Sequence, residues 1–242
     1  MSDTEALGRP MIGLRVVELC DFVAGPFAAR LLSDFGAQII KVEKPGLGDH
    51  ARRQGPFPKD EPDTEASGTF LYLNTNKQGI TLDLESADGR AIFKKLISSA
   101  DILIEDRRPG ELNALGLGYE DLKKINPSLI MTSITPYGQT GPFSQYKAHH
   151  LNIYHASGQG YLLPMWSKDL TREPVKGPGY LGEYDGGMSA AIASLSALFW
   201  RGNGGTGQHI DISKQEAMMH LDRGQLRRFL DSGEDPNRTG KG

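Results

Sequence analysis

The 242-residue chain holds a single cysteine and two tryptophans, and it has no long uninterrupted apolar stretch. One thiol, Cys20, cannot close a disulfide within the chain, so a reducing compartment is the expectation and the reading is cytoplasmic. A spanning helix needs about 18 consecutive apolar residues, so no membrane segment is expected. The opening MSDTEALGRP is polar and lacks the apolar core of a secretory signal. Nor is one sign of charge in excess. The 27 basic and 30 acidic residues leave −3, which offers no electrostatic case for nucleic acid or an anionic membrane surface. Internal repeats and low-complexity tracts are also missing.

What is present alternates. GLRVVEL (13–19) is a β-branched run that predicts a strand, and FAARLLSDFG (27–36) has helical spacing and stops at Gly36. AQIIKVEK (37–44) is the next strand, completing a β–α–β unit that calls for parallel pairing. A Pro- and Gly-rich stretch, 45–69, reads as a long surface loop. TFLYLN and GITLDL are expected to be short strands around NTNKQ. SADGRAIFKKLISSA predicts a helix capped by Ser86, DILIED a strand, RRPGELNALG and GYEDLKKIN short helices, and PSLIMTSITPYG a strand. A helix is expected over about 148–157. Another, over 186–200, is apolar all round and so expected to be buried. HIDIS then predicts a strand and KQEAMMHLDRGQLRRFLDSG a last amphipathic helix. The fold class is α/β, a Rossmann-like open, mostly parallel sheet with helices on both faces.

Several stretches carry chemistry-bearing residues. PGLGDHA (45–51) fits G-x-G-x-x-A but follows the second strand, and no apolar helical face comes after it. His149, His150 and His155 do not have the i,i+4 spacing of helical metal ligands, so no metal is expected. One of them suits a general base better. Cys20 reads as a buried apolar side chain. Lys44, Arg52, Arg53, Lys77, Arg107 and Arg108 each follow a predicted strand end, where loops at one rim could meet a ligand bearing phosphates. In GYLGEYDGGM, Glu183 and Asp185 stand before Gly186 and Gly187 and the predicted helix start. The two glycines would let a large substrate approach the backbone, and one acid could cap while the other reacts.

Taken in order, GLRVVELCDFVAGPFAARLLSDFGAQIIKVEKPGLGD, LNTNKQGITLDL, DGRAIFKKLISSADILIEDRRPGELNALGLGYEDLKKINPSLI, TSITPYGQTGP and GTGQHIDIS closely resemble the class III CoA-transferase family, over about residues 11–222. The resemblance implies a Rossmann-like large domain over 11–222 after a disordered 1–10. Residues 223–242 would begin a linker toward a small domain that is largely absent. It implies a homodimer of interlinked chains, or a complementary C-terminal chain, as partner. It implies acyl-CoA and a small carboxylic acid as substrates, with CoA moving through an enzyme-bound mixed anhydride and an enzyme–CoA thioester. The family's nucleophilic aspartate falls on Glu183, one methylene longer, with Asp185 ranked second. The family's racemase branch pairs a histidine with an aspartate, and those positions fall on His149 and Glu183, so α-carbon epimerisation of a 2-methylacyl-CoA is the alternative. A non-catalytic CoA-binding partner subunit is the third reading. CoA contacts carry over to Val23, Ala24, Lys44, Asn76, Lys77, Asp106 and Arg107, with Gly186 and Gly187 beside the reacting centre. Family members often have Asn-Phe in place of Asp106-Arg107.

Overall fold

A computed structural model describes residues 8–234 and 238. Most of the expected disordered segment 1–10 lies outside the described residues, as do 235–237 and 239–242 of the expected linker 223–242, whose Arg223–Ser232 part is helical. Six strands form one all-parallel sheet: β1 (Arg15–Leu19), β2 (Gln38–Glu43), β3 (Lys77–Thr81), β4 (Ile102–Glu105), β5 (Ile130–Thr135) and β6 (His209–Ser213). Their order is β3-β2-β1-β4-β5-β6, so the winding reverses between β1 and β4. In sheets of this kind ligands bind outside the C-terminal strand ends at that reversal.

The helices are α1 (Ala24–Asp34), α2 (Gly68–Leu73), α3 (Ala87–Ile97), α4 (Glu111–Ala114), α5 (Tyr119–Ile125), α6 (His150–Ala156), α7 (Leu181–Gly202), α8 (Lys214–Leu221) and α9 (Arg223–Ser232). Alternating strand residues feed two cores. Val16, Ile39, Ile102, Ile104 and Ile130 pack under α1 and α7. Val17, Leu19, Val42, Leu103 and Met131 pack under α3, α4 and α5. Burial of β-branched side chains on both faces is what a parallel sheet requires, and it accounts for the near-continuous apolar runs in the sequence.

Four expectations are corrected. TFLYLN is helical rather than extended, because the buried Ser67 Oγ accepts from Phe70 N and so caps the turn. Its own hydroxyl proton goes to the carbonyls of Ala51 and Gln54. The long helix begins at Leu181, one turn before Gly186, so Glu183 and Asp185 lie inside it and neither is the N-cap. That helix is buried on one face only: Met188, Ile192, Phe199 and Trp200 are exposed. The final amphipathic run is broken at Asp222 into α8 and α9.

Gly186 and Gly187 are both buried against protein, not open to a ligand. A Cβ on Gly187 would stand 2.4 Å from the Ala24 carbonyl oxygen, and one on Gly186 would stand 2.7 Å from Lys214 Cγ. Close packing of α7 on α1 overrides the poor helix propensity of two adjacent glycines. Gly187→Ala is therefore expected to destabilise the fold by about 1–3 kcal/mol, the usual cost of overpacking. A urea unfolding midpoint unchanged from wild type would refute the close approach.

Candidate active site

A buried quartet of charges shapes the rim above β1. Lys41 Nζ lies 2.7 Å from Glu18 Oε1 and 2.7 Å from Asp49 Oδ2, and Lys77 Nζ lies 2.7 Å from Glu18 Oε2. Burial opposes the Lys41 charge, but Glu18 and Asp49 outweigh it and raise its pKa. Asp49 uses its other oxygen to accept from Phe22 N at 2.9 Å and Ala51 N at 2.7 Å. Phe22 has φ of +70°, a conformation uncommon outside glycine. The quartet thus holds the turn between β1 and α1 in a strained shape. Asp21 is fixed there too, accepting from His50 N while its own N–H donates to Asp106 Oδ2 at 2.7 Å.

That turn borders a cleft of about 390 Å³ at the β1/β4 reversal. Asp21 and Phe22 follow β1, Asp106, Arg107 and Arg108 follow β4, and Thr135 and Pro136 end β5. His149, Glu183 and Lys214 complete the wall. Glu183 is only 5% exposed, and Lys214 Nζ donates to its Oε1 at 2.9 Å and its Oε2 at 2.8 Å. It occupies the first turn of α7, where the helix's free N–H groups favour an anion. His150, beside His149, is buried and serves structure: its Nδ1 accepts from Gly182 N at 3.2 Å, fixing the start of α7. Burial lowers the His150 pKa, which favours the neutral ring that this hydrogen bond requires.

The other predicted residues divide. His149, Asp106 and Arg107 reach the cleft with Glu183. Asp185, about 200° further round the helix, does not line it, and burial raises its carboxyl. Val23 and Ala24 are buried and do not line the cleft. Lys44 lies in a narrow neighbouring groove with Leu82, Asp83, Leu84 and Glu85, and Arg107 lines both spaces. Asn76 precedes β3 at the opposite rim, and its Nδ2 donates to Asp34 Oδ1 at 3.2 Å. Lys77 is committed to Glu18, to the Pro26 carbonyl at 2.8 Å and to Asn74 Oδ1 at 2.9 Å, which leaves no ammonium proton for a phosphate. Arg52 is likewise spent on Glu43 and Glu65. Cys20 is buried, and burial pushes its thiol up, so it is inert. PGLGDHA leads into a one-turn 3-10 segment, His50–Arg53, and not into a helix on the sheet.

Sequence reasoning missed Lys214. The available signal was its place as the first residue after β6, at the ligand-binding rim.

Two acids near the cleft titrate late. Burial raises Asp106 to about 8 against the opposing pull of Arg107, and raises Glu105 to about 7 against hydrogen bonds from Ser133 and the Arg107 amide. Both bind protons more tightly in the folded chain than in the unfolded one, where carboxylates titrate near 4. Stability therefore falls as pH rises from about 4 through 8. Asp106→Asn should level this loss near pH 7, above which the wild type still weakens. Midpoints of urea unfolding at pH 5 to 9 check this, and parallel curves for the two proteins would refute it.

The fold and site define a class: a Rossmann-like α/β chain with one lysine-paired glutamate in a cleft at the winding reversal. The chain belongs to CoA-transferase family III, whose model matches residues 11–242. It is 40% identical over 209 residues to the succinyl-CoA–L-malate CoA-transferase beta subunit of Chloroflexus aurantiacus, covering 86% of this chain and 50% of that one. It is 37% identical over 212 residues to the succinyl-CoA:(R)-benzylsuccinate CoA-transferase subunit BbsE of Thauera aromatica, covering 87% and 50%. Against acetyl-CoA:oxalate CoA-transferase of Acetobacter aceti, identity is 36% over 231 residues, covering 96% and 57%. The chain thus spans about half the length of these curated relatives. Among solved structures, a CAIB/BAIF family protein of Brucella suis superposes with a TM-score of 0.88 at 36% identity, covering 96% of this chain and 60% of that one. Rv3272 of Mycobacterium tuberculosis gives 0.82 at 32%, covering 93% and 60%.

Proposed function

We propose that this chain carries the nucleophile of an acyl-CoA:carboxylate CoA-transferase, and that the nucleophile is Glu183. The observation that carries the reading is a nearly buried carboxylate facing a cleft at the winding reversal, with a cation on both oxygens. A carboxylate there can attack a thioester carbonyl to give a mixed anhydride and CoA thiolate. The thiolate then attacks the glutamyl carbonyl, giving an enzyme–CoA thioester and the free donor acid. The groove holding Lys44 adjoins the cleft through Arg107, and these two cations, set among Glu43, Asp83, Glu85 and Glu111, are its points of contact for the phosphates of CoA. The thioester end then falls toward Glu183. Two relatives are named as subunits, which supports a partner chain.

Trapping with hydroxylamine or borohydride during turnover is expected to mark the peptide bearing Glu183, read by mass spectrometry. An active protein with that peptide unmarked would end the reading. A second reading has one observation in its favour: His149 lines the same cleft as Glu183, as a pair of acid and base for α-carbon epimerisation would need. It predicts deuterium uptake at Cα of a 2-methylacyl-CoA in heavy water without any acceptor acid, lost in His149→Ala. No uptake would discard it.

A further inference from the structure

We propose that Lys214 binds the carboxylate of the acceptor acid, and that it is freed to do so only when Glu183 becomes acylated. The inference rests on the transferase reading. In the unacylated protein both Glu183 oxygens lie within 2.9 Å of Nζ, and among the described residues no other carboxylate pairs with Lys214. The ammonium is aimed by a fixed stem, since Lys214 Cγ fills the space where a Gly186 Cβ would lie at 2.7 Å. The lysine side chain is 12% exposed, so its charge has limited water to fall back on.

Acylation removes the partner. Once Glu183 is a thioester its carbonyl is neutral, and Lys214 is left as a half-closed cation in the wall of the cleft. An ammonium in that position recruits an anion. The acceptor is the anion that must come there, because its oxygen has to reach the Glu183 Cδ, the atom between the two oxygens that Nζ holds in the resting state. The acceptor oxygen bonds to Cδ, the C–S bond breaks, and CoA leaves as thiolate. The thiolate then attacks the acceptor carbonyl of the anhydride, and the C–O bond to Glu183 breaks. The carboxylate electrons return to Glu183 and the pair with Lys214 re-forms. No proton is taken up or lost, and the anion facing the lysine is Glu183 before charging, the acceptor carboxylate once it enters the charged site, and Glu183 again after release. Glu183 and the acceptor acid therefore share one cation at different times, which makes the exchange a two-stroke sequence by construction.

Lys214→Met keeps the stem against Gly186 and deletes the charge. This variant is expected still to accumulate the Glu183–CoA thioester, seen as the added mass of CoA on that peptide. Discharge of the thioester by the acceptor acid should slow by about 10- to 150-fold, the worth of one charge-assisted hydrogen bond. Discharge by hydroxylamine, a neutral nucleophile, should proceed at the wild-type rate, and Lys214→Arg should regain most of the loss. An equal slowing for both nucleophiles, or for neither, would overturn the inference. If the Met variant does not charge, the wild type supplies the second measurement. Methanesulfonate, an anion that cannot accept CoA, should slow discharge of the charged protein and leave the charging of the free protein untouched. Equal inhibition of both steps, or of neither, would count against Lys214. A wild-type protein that forms no thioester at all would remove the transferase reading and this inference together. A thioester that forms and discharges without regard to Lys214 would remove only the inference.

Discussion

Glu183→Gln is expected to lower CoA transfer by on the order of a thousandfold or more, with the folded state retained. An amide cannot form the anhydride, and removing a covalent nucleophile forfeits the route and not merely one contact. The fold should persist because the α7 surface against α1 depends on Gly187 and Tyr184, not on the carboxylate. Glu183→Asp is the finer test. It withdraws the carboxylate by roughly 1.5 Å, the length of one C–C bond, and so parts it from Lys214. Misplacement on that scale costs on the order of 100-fold. Turnover by the two variants, measured beside far-ultraviolet circular dichroism, checks both. A glutamine variant with a tenth or more of wild-type turnover would exclude Glu183 as the nucleophile.

The second large effect falls on stability. Lys41→Met should destabilise the chain by roughly 3–5 kcal/mol, because it leaves Glu18 and Asp49 buried with one cation between them. Lys41 is 2% exposed and Glu18 is 0% exposed, so water cannot take over. The loss should be read from urea unfolding. Lys41→Met combined with Asp49→Asn should recover part of it, since the pair is coupled and the second change removes the orphaned charge. A cost below about 1 kcal/mol for the single variant would show that the quartet is not closed from solvent. Because Asp49 also holds the amide of Phe22, both variants are expected to disturb the turn at the cleft.

The sheet was legible in the residues because its strands are β-branched runs bounded by punctuation: Arg15–Leu19 after Gly13, Gln38–Glu43 after Gly36. Local signals failed where distant atoms decide. Thr69, Phe70 and Tyr72 read as strand formers, yet Ser67, itself held by the carbonyls of Ala51 and Gln54, winds them into a helix. Two adjacent glycines read as a helix boundary, and they lie inside α7 because α1 and Lys214 come too close for any side chain. In the site, the place of Glu183 came with the family likeness, whereas Asp185 could be set aside only once the helix phase was known. Lys214 lies 31 positions from Glu183 in sequence, and nothing local to HIDISKQEA marks its partner. The same holds for Lys77, which reads as a rim cation and is enclosed between Glu18, Pro26 and Asn74.

Enclosure of that kind fixes how this chain will respond to ionic strength. Lys41 and Lys77 cancel against Glu18 and Asp49 inside the sheet edge, and Glu183 cancels Lys214. Of the cations bordering the two spaces, Lys44, Arg107, Arg108 and Lys147 form no ion pair among the described residues, although Glu105 and Asp106 face Arg107. Added potassium chloride should thus weaken capture of a polyphosphate ligand with a shallow slope, of about four charges at most, and leave the enclosed pairs unscreened.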